Sequence, residues 1–379
     1  MKRNFVSVTE ISGLFTGNSN VQDAVDGGAY PLFDRSSVIK RSDKWLFDGE
    51  AIIVPGEGKE FVPRYYNGKF NLHQRAYALI PHTETTDARY VYYAVFNQRD
   101  HFSRIAVGST VKSLRRASFE TMMIPFPTIE EQRTIAGTLS ALDDKIAINT
   151  KINRNLEQMA QAIFKSWFVD FEPFGGERPL NWHEGTISDI SDEIVCGKTP
   201  STKNKDNFGN DVPFITIPDM HNVVYITATQ RSLSFVGAKT QNSKTVPENS
   251  VCVSCIATAG LVALTSVPSQ TNQQINTIVC KEGISPYFVY LTMVGMSDHI
   301  RMLGSSGSAT INLNKGQFSK IELLIPESCV IGEFNDLIEP IFGAIKYNQQ
   351  ENTKLANLRD TLLPRLMSGE ISVADLTTK

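Results

Sequence analysis

Apolar residues recur at alternating steps of four and three along residues 135–167, a spacing that predicts a long helix with a coiled-coil seam. Glu131 follows Thr128 by three positions, so both side chains can satisfy free amides of a first helical turn. We therefore predict a helix from about Thr128 to Phe168, which spans roughly 60 Å at 1.5 Å per residue. The seam positions are Ile135, Leu139, Leu142, Ile146, Leu156, Ile163 and Trp167.

A second stretch near the carboxyl terminus predicts another long helix with a less regular seam. Pro340 lacks an amide donor and crowds the preceding turn, so we expect a kink or a restart of the helix there. Pro364, followed by Gly369, is expected to end the helix. The apolar seam positions are Ile338, Ile341, Ile345, Leu355, Leu362 and Leu366.

Each predicted seam contains two asparagines where apolar residues would pack better. They are Asn149 and Asn153 in the first helix and Asn348 and Asn352 in the second. Polar seam residues lower stability but can fix the register of a coiled coil. If the two helices pair antiparallel about a pseudo-twofold axis, Asn149 and Asn348 approach one another at its centre. We hypothesise that this pair sets the register.

The two helices belong to an internal repeat with a spacing of 199 residues, as in Leu156 and Leu355. The correspondence continues upstream with small slips and places His73-Gln74 opposite Gln273-Gln274. A period this long indicates a duplicated domain and not a solenoid, whose units run about 20 to 50 residues.

The repeat predicts an α+β protein with two mixed α/β domains and two long helices. We expect the first domain at residues 1–127, its helix at 128–171, the second domain at 172–327 and its helix at 328–379. The two helices are expected to separate the domains and to pair as an antiparallel coiled coil with an internal pseudo-twofold repeat.

One long stretch without charge has to be distinguished from a membrane span, because no charged residue lies between Glu248 and Lys281. Residues 251–267 are interrupted by Ala259-Gly260 and are rich in serine and threonine, whereas a spanning helix needs about 20 predominantly apolar residues. Two buried strands, VCVSCIAT and LVALTSV, fit the β-branched content better. No membrane association is therefore expected.

The charge balance requires any nucleic-acid binding to come from local clusters. Lysine and arginine total 37 against 40 acidic residues, for a net charge of -3. The first ten residues have no apolar segment behind a basic start, so no secretory signal and a cytoplasmic location are expected. The five cysteines form no regular disulfide pattern, which favours reduced, mostly buried thiols.

Motifs for catalysis or metal binding are weak. Cys252 and Cys255 have the spacing of half a zinc site, but no second pair follows, so buried thiols are the preferred interpretation. Gly197-Lys198-Thr199 lacks the first glycine of a phosphate-binding loop. An adenine methyltransferase would need an Asn/Asp-Pro-Pro-aromatic loop, which the sequence lacks. We therefore expect no catalytic residue, no metal and no cofactor.

Three segments carry a family resemblance. The run PFPTIEEQRTIAGTLSALDDKIAINTKINRNLEQMAQAIFKSWFVDFEPF resembles the central region of Type I restriction-modification specificity subunits, and NTKLANLRDTLLPRLMSGEI resembles their carboxyl-terminal region. NWHEGTISDI, followed by GKTPSTKNKDNF and VPFITIPDM, is similar to the opening of one of their target-recognition domains. The first domain lacks such an opening, although residues 28–33 stand at a place comparable to residues 212–215.

The resemblance implies that each target-recognition domain reads one half of a split site in double-stranded DNA, while the helices hold the two domains apart. It also implies two methyltransferase (modification) subunits docked on the helices, and restriction subunits that join for cleavage. The chain itself would be non-catalytic. The assembled complex would methylate adenine and cleave DNA through its partners.

Candidate DNA contacts are chosen by chemistry, since lysine and arginine attract phosphates while arginine, asparagine and glutamine read base edges. A solvated surface charge remains the alternative for any single lysine. In the first domain the candidates are Lys40, Arg41, Lys44, Lys59, Arg64, Lys69, His73, Gln74 and Arg75, with Lys112, Arg115 and Arg116 beside the helix start. In the second domain they are Lys198, Thr199, Ser201, Lys203, Lys205, Gln273, Gln274 and Asn276.

Two other functions remain open on the sequence. A coiled-coil assembly scaffold with ligand-binding domains and no DNA specificity would need only the helices. A self-sufficient modifying enzyme would need activity of the isolated chain. DNA binding that weakens with salt separates the first alternative from a DNA-recognition subunit, because phosphate contacts release counterions.

Overall fold

Residues 3–36, 38–305 and 312–372 are described by the computed structural model of the chain. Their contacts define two units: unit 1 is Met1–Lys145 with Leu355–Lys379, and unit 2 is Ile146–Lys354. Each unit combines one α/β domain with a section of both long helices. Residues 373–379, which end the predicted second helical segment, lie outside the described residues.

Unit 1 contains the first α/β domain. Its elements are β1 (Phe5–Ser7), β2 (Ser12–Thr16), β3 (Tyr30–Phe33), β4 (Lys40–Ser42), β5 (Glu50–Pro55), β6 (Glu57–Gly58), β7 (Arg64–Asn67), β8 (Asn71–Leu72), β9 (Ala76–Pro81), α1 (Ala88–Asn97), α2 (Arg99–Ile105), β10 (Lys112–Ser113), α3 (Arg116–Glu120) and β11 (Met123–Pro125), followed by the long helix α4 (Ile129–Phe168), which continues into unit 2. An antiparallel sheet has the order β2-β9-β5-β7, and a smaller sheet has the order β4-β3-β8, in which β3 and β8 are parallel.

Unit 2 contains the second α/β domain. Its elements are β12 (His183–Thr186), α5 (Ile187–Ile190), β13 (Ser191–Cys196), β14 (Phe208–Gly209), β15 (Val212–Ile215), β16 (Tyr225–Ile226), β17 (Ser232–Leu233), α6 (Phe235–Lys239), β18 (Thr245–Val246), β19 (Val251–Ser254), β20 (Val262–Thr265), β21 (Ser269–Thr271), β22 (Ile275–Cys280), α7 (Pro286–Gly295), α8 (Ser297–Ser305), α9 (Lys315–Phe318) and β23 (Glu322–Ile325), followed by the long helix α10 (Ser328–Ser368), which ends in unit 1. Its sheets have the orders β13-β22-β19-β20-β16 and β14-β17-β15-β21-β18, and β15 and β21 are parallel.

The two units share one strand plan. The strands β2, β9, β5 and β7 of unit 1 correspond in order to β13, β22, β19 and β20 of unit 2, and the parallel pair β3 and β8 corresponds to β15 and β21. The predicted α+β class, with two mixed domains and two long helices, is therefore confirmed. The two strands predicted in the uncharged stretch are also confirmed as β19 and β20.

Helix α4 begins where the sequence predicts. The hydroxyl of Thr128 accepts a hydrogen bond from the amide of Glu131 at 3.4 Å, and the carbonyl of Thr128 accepts one from the amide of Gln132 at 2.9 Å. The first turn therefore has the side-chain cap expected for a threonine at this position.

Helix α10 passes both of its prolines. The restart expected at Pro340 is wrong, because one helix runs through it, and Pro364 does not end the helix, although the predicted end at Gly369 is confirmed. Gly369 ends it with a φ of 78°, a left-handed conformation that glycine adopts without strain. A proline forfeits one helical hydrogen bond, and the packing of α10 on the two cores outweighs that loss at both positions.

Each unit packs its sections of the long helices into its own core. In unit 1 the buried residues Ile135 and Leu139 of α4 and Leu363 and Leu366 of α10 join the domain core. In unit 2 the helix residues packed in the main core include Leu156, Ile163, Phe164, Trp167, Phe168, Phe334, Ile338, Phe342 and Ile345. The predicted seam residues thus pack mainly against the α/β domains. Trp167 is one of these packing residues, within unit 2.

Other features of the fold bear on the exclusions made from the sequence. None of the helices in the described part of the chain combines the length and hydropathy that a membrane span requires. The five cysteines are free thiols, but the expectation that most of them are buried is wrong, because Cys196 and Cys280 are half-buried and Cys329 is exposed. Cys252 and Cys255 are buried, and burial raises the pKa of Cys252 to about 12 and that of Cys255 to about 11.

Candidate DNA interface

Two predicted cations of unit 1, Lys40 and Arg75, form ion pairs with buried carboxylates. Lys40 forms an ion pair with Asp34, with 2.7 Å between Nζ and Oδ2, and the Asp34 side chain is almost fully buried. Arg35 and Arg75 both pair with Glu57, whose side chain is 10% exposed. These pairs neutralise part of the positive charge, so Lys40 and Arg75 contribute to loop structure as well as to surface charge.

Two predicted arginines of unit 1 are fastened to backbone carbonyls. Arg41 donates hydrogen bonds from Nε to the carbonyl of Gly28 and from Nη2 to that of Ala29, both at 2.8 Å. Arg64 donates from Nη2 to the carbonyl of Ser36 at 2.7 Å, and its partial burial lowers its pKa. Both guanidinium groups therefore brace loops around β3 and β4.

His73 lies inside unit 1, which departs from the surface position expected of a DNA contact. It is 6% exposed, and its Nδ1 accepts a hydrogen bond from the amide of Arg75 at 3.0 Å. Burial lowers the pKa of His73, because the charged imidazolium loses solvation there. The side chain thus has a structural position beneath the exposed Gln74.

The remaining cations of this region are exposed. Lys44 and Lys59 lie on the surface of unit 1. Lys69 is also exposed, and its Nζ lies 4.8 Å from the centre of the Trp45 ring, a cation–π contact. These three lysines remain suited to contacts with phosphates.

The cluster beside the start of α4 lies on β10 and α3. Lys112 donates from Nζ to the carbonyl of Ser103 at 2.7 Å, and Arg116 pairs with Glu120 one turn along α3 at 2.9 Å. Arg115 is exposed. Two of the three cations in this cluster are thus engaged in local contacts.

In unit 2 the Gly197 loop packs on the end of β21. A β-carbon at Gly197 would lie 2.3 Å from the carbonyl oxygen of Thr271, so only glycine permits this approach. The amide of Lys198 donates to the same carbonyl at 2.9 Å, and the hydroxyl of Thr199 donates to Oε1 of Gln273 at 2.7 Å. The loop therefore brings together three of the predicted residues: Lys198, Thr199 and Gln273.

The rest of this loop is exposed and polar. Ser201, Lys203 and Lys205 all lie on the surface. The loop is held by Asn207, whose Nδ2 donates to the carbonyl of Ser201 at 3.0 Å. Lys203 and Lys205 therefore offer accessible positive charge on a loop with a fixed base.

The remaining amides of unit 2 differ in exposure. Gln274 is half-buried, and its Oε1 accepts from Nδ2 of Asn272 at 2.9 Å. Asn276 is 2% exposed and its Nδ2 donates to the carbonyl of Leu313 at 3.4 Å. Asn276 therefore lies in the interior, contrary to the expectation that it faces DNA.

The structure corrects the repeat alignment around these residues by one position. In unit 1 the amide of His73 donates to the carbonyl of the last residue of β3 at 2.9 Å. In unit 2 the amide of Asn272 donates to the last residue of β15 at 3.0 Å. His73 is thus equivalent to Asn272, and Gln74 to Gln273, a spacing of 199 residues that matches the helices.

Asn20 is a residue of this region that the sequence did not single out. Its Oδ1 accepts a hydrogen bond from Nε2 of Gln74 at 2.6 Å. It lies on the loop after β2, where a β-carbon at Gly17 would be 1.7 Å from the carbonyl of Leu72. In both units a glycine directly follows a strand and a polar loop comes after it, as in the Gly197 loop of unit 2. This sequence pattern could have identified Asn20.

The four seam asparagines form hydrogen bonds between α4 and α10 within unit 2. Nδ2 of Asn149 donates to Oδ1 of Asn352 at 2.9 Å, and Nδ2 of Asn348 donates to Oδ1 of Asn153 at 2.8 Å. Nδ2 of Asn153 also donates to the carbonyl of Ile345 at 3.2 Å. Higher numbers on α4 meet lower numbers on α10, so the two helix sections are antiparallel.

These contacts correct the hypothesis that Asn149 pairs with Asn348. Each asparagine bonds instead to a residue about one turn from the expected partner. On α4 the midpoint of the contact lies between Asn149 and Asn153. Asn149 therefore meets Asn352, the repeat equivalent of Asn153, and Asn153 meets Asn348, the repeat equivalent of Asn149. The two bonds are repeat equivalents, because 199 positions separate Asn149 from Asn348 and Asn153 from Asn352.

Comparisons with known proteins agree with this architecture. A family model described as the Type I restriction modification DNA specificity domain matches residues 4–158 and 179–355. The chain is 38% identical over 342 residues to the Type I restriction enzyme HindI specificity subunit of Haemophilus influenzae, covering 72% of this chain and 74% of that protein. It is 25% identical over 306 residues to the Type I restriction enzyme MjaIX specificity subunit of Methanocaldococcus jannaschii, covering 76% and 70%.

A solved structure supports the fold. The Type I restriction-modification system S subunit from M. genitalium superimposes with a TM-score of 0.63 at 18% identity, covering 96% of each chain. The family match spans most of the sequence in two blocks, in keeping with the internal repeat. The chain therefore belongs to the Type I restriction-modification DNA specificity family, as a specificity subunit that recognises DNA sequence.

Proposed function

We propose that each α/β domain reads one half of a bipartite site in double-stranded DNA, and that the chain contributes no catalytic group of its own. The supporting observation is that units 1 and 2 repeat one strand plan while differing in their exposed loops. Two readers of different half-sites need a common scaffold and unlike contact residues. Adenine methylation and DNA cleavage are then supplied by partner subunits.

The exposed side chains define the proposed DNA contacts. Gln74 of unit 1 and Gln273 of unit 2 are exposed amides that can read base edges. His73 and Asn276 are left out because they are buried. The proposed phosphate contacts are the exposed cations Lys44, Lys59, Lys69, Arg115, Lys198, Lys203 and Lys205.

We also propose that the helices set the spacing between the half-sites. The reading domains are 1–127 and 172–327, and the spacers are 128–171 and 328–379. Helices α4 and α10 both cross from one unit to the other without a break. A continuous helix has a fixed rise of about 1.5 Å per residue, so it can define a length more sharply than a flexible linker.

The proposed docking sites for two methyltransferase subunits lie on the outer faces of the helices. Ile148 is 54% exposed, and its repeat equivalent Tyr347 is 65% exposed. Met159 and its equivalent Leu358 are 51% and 46% exposed. Apolar side chains left in solvent at repeated positions suit two copies of the same partner. Restriction subunits would join the complex that these subunits form.

The central test is methylome sequencing of cells that carry this chain with its methyltransferase partner. We expect adenine methylation at a site with two specified halves and an unspecified gap. Binding of the complex to that site should weaken as salt rises. Methylation of contiguous sites, or DNA binding that is independent of salt and sequence, would contradict the proposal and favour a scaffold.

The spacing is tested by inserting four residues after Lys145 and four after Lys354, where the boundary between units cuts both helices. The insertion adds about 6 Å at 1.5 Å per residue, close to two base pairs at about 3.4 Å each. We expect the gap to lengthen by one or two base pairs. The control inserts four residues after the exposed Gly176, which should leave the gap unchanged. An unchanged gap in the helix variant with retained methylation would refute the proposal that the helices set the spacing.

Docking is tested by placing a charge in each apolar site. Ile148→Asp and Tyr347→Asp should each reduce the methyltransferase content of the complex from two copies to one, measured by native mass spectrometry. Asn155→Asp, at an exposed position of α4, is the charge control. Two copies retained in both aspartate variants would place the docking surface elsewhere.

A further inference from the structure

Gln74 and Gln273 occupy the same place in units 1 and 2, but their side-chain amides are held in opposite senses. In unit 1, Nε2 of Gln74 donates to Oδ1 of Asn20 at 2.6 Å. In unit 2, Oε1 of Gln273 accepts from the hydroxyl of Thr199 at 2.7 Å. The donor end of one glutamine and the acceptor end of the other are therefore engaged with the protein.

Because the amide is planar, this difference changes which hydrogen-bonding group of the glutamine each unit directs outward. The oxygen and nitrogen of a glutamine amide lie on opposite sides of Cδ, so a bond to one points the other away. Gln74 thus keeps its whole carbonyl oxygen and only one N–H for outside partners, while Gln273 keeps both N–H groups and only one lone pair of its oxygen. Both side chains are exposed.

Buried amides fix the strand ends that carry these glutamines. In unit 1, Asn71 is 4% exposed, accepts from the hydroxyl of Ser19 at 2.9 Å and donates to that of Ser42 at 3.1 Å. In unit 2, Gln270 is fully buried and donates to the hydroxyl of Thr245 at 2.8 Å. Such anchoring limits the freedom of the strand end that carries each glutamine.

We propose that Gln74 and Gln273 are specificity-determining residues that read opposite hydrogen-bonding edges in the major groove. Gln74 accepts from an exocyclic amino group, adenine N6 or cytosine N4, in one half-site. Gln273 donates to an acceptor, guanine O6 or N7 or thymine O4, in the other. This inference rests on the proposed reading of one half-site by each domain. Asn20 and Thr199 act as positioning residues.

The first experiment replaces each glutamine by methionine, which keeps the length and removes both hydrogen-bonding ends. The full chain is expressed with its methyltransferase partner and the methylome is sequenced. Gln74→Met should lower the preference at one position of the first half-site by about tenfold and leave the second half-site intact. Gln273→Met should do the reverse, so each half-site is the internal control for the other.

The second experiment replaces each glutamine by glutamate, which can only accept. Gln74→Glu should keep its base preference, because Asn20 can rotate its amide to donate to the new carboxylate. Gln273→Glu should lose its preference as fully as the methionine variant, because the free donor is gone. Both variants add one negative charge near DNA, so a general loss of affinity is matched between them.

The outcomes separate this inference from the proposed function. If the wild-type chain specifies two half-sites but both methionine variants leave every position unchanged, the assignment of the glutamines is wrong while domain-wise reading stands. Equal effects of the two glutamate variants, or the reverse order, would refute the opposite polarities. A wild-type methylome without two half-sites would refute the proposed function itself.

Discussion

Units 1 and 2 bury the same positions of the long helices but fill them with different side chains. In unit 2, the ring of Trp167 lies 5.8 Å from that of Phe334. In unit 1 the residues 199 positions away are Leu366 and Ile135, and both are fully buried. An aromatic pair in one unit is therefore replaced by two buried aliphatic residues in the other. The repeat preserves which helix positions face the core but not the shape of that core.

A second pair of equivalent positions differs in polarity. Phe342 of unit 2 stacks on Tyr287, with ring centres 4.5 Å apart. Its equivalent in unit 1 is Asp143, whose carboxylate accepts from Tyr93 and from Arg359, both at 2.6 Å. One helix position thus supports an apolar stack in one unit and a half-buried ion pair in the other. The two cores therefore differ in chemistry at equivalent positions of the helices.

The largest effect on the free energy of unfolding is expected when a ring is removed from the aromatic core of unit 2. Phe334→Ala removes a fully buried ring that contacts Trp167 and Phe168. We expect it to lower the free energy of unfolding of unit 2 by about 3–5 kcal/mol. Urea unfolding followed by tryptophan fluorescence reports this, because two of the three tryptophans, Trp167 and Trp182, lie in unit 2. Leu337→Ala, at a position 46% exposed, is the control and should change it by less than about 0.5 kcal/mol. Equal effects would contradict the assignment of α10 to the core of unit 2.

A smaller loss is expected at the polar position of unit 1. Asp143→Ala removes the acceptor of the Tyr93 hydroxyl and one of the two carboxylates that pair with Arg359, whose side chain is only 17% exposed. We expect the free energy of unfolding of unit 1 to fall by about 2 kcal/mol, since Arg359 retains Asp360 as a partner. Calorimetry of the full chain measures this effect. The double variant Asp143→Ala with Arg359→Met should recover part of the loss, and no recovery would show that the ion pair is not its cause.

The sequence predicted those features of the fold that depend on local patterns of residues. The seam spacing and the Thr128 cap located α4 to within a residue, and the 199-residue spacing revealed the repeated domain plan. The pattern could not decide whether α10 passes through Pro364, because that depends on packing energy gained elsewhere. It also could not distinguish Gln74 from His73 as the exposed neighbour, because a single residue of strand register decides which side chain points inward.

The asparagine partners show the same limit at smaller scale. The seam position of four amides was visible in the sequence, but the choice of partner depends on where the two helices cross, which is a three-dimensional property. A shift of four residues along a helix changes the partner while keeping the same face of the seam. The sequence therefore identified the polar layer and assigned the wrong pair within it.

The polar layer offers a third and smaller test. Asn153→Leu removes the acceptor of Asn348 and should lower the free energy of unfolding of unit 2 by about 1 kcal/mol. The double variant Asn153→Leu with Asn348→Leu places two apolar residues at the seam and should be as stable as the native pair, or more so. Urea unfolding of both variants measures the difference. A double variant less stable than the single one would mean that the two asparagines are not coupled.

The smallest expected effect contrasts the starts of the two long helices. Thr128 and its equivalent Glu327 both accept with their carbonyls from the amide four residues on, at 2.9 and 3.1 Å, but the Thr128 hydroxyl also caps the amide of Glu131. Thr128→Ala should cost about 0.5–1 kcal/mol in unit 1, at the low end for a cap because that bond is long, at 3.4 Å. Thr128→Ser keeps the hydroxyl and should be nearly neutral. Glu327→Thr should also be close to neutral, since the cap it adds offsets the favourable charge lost at the helix start. Calorimetry on the three variants decides the matter: equal losses for alanine and serine at residue 128 would show that the hydroxyl does not cap α4.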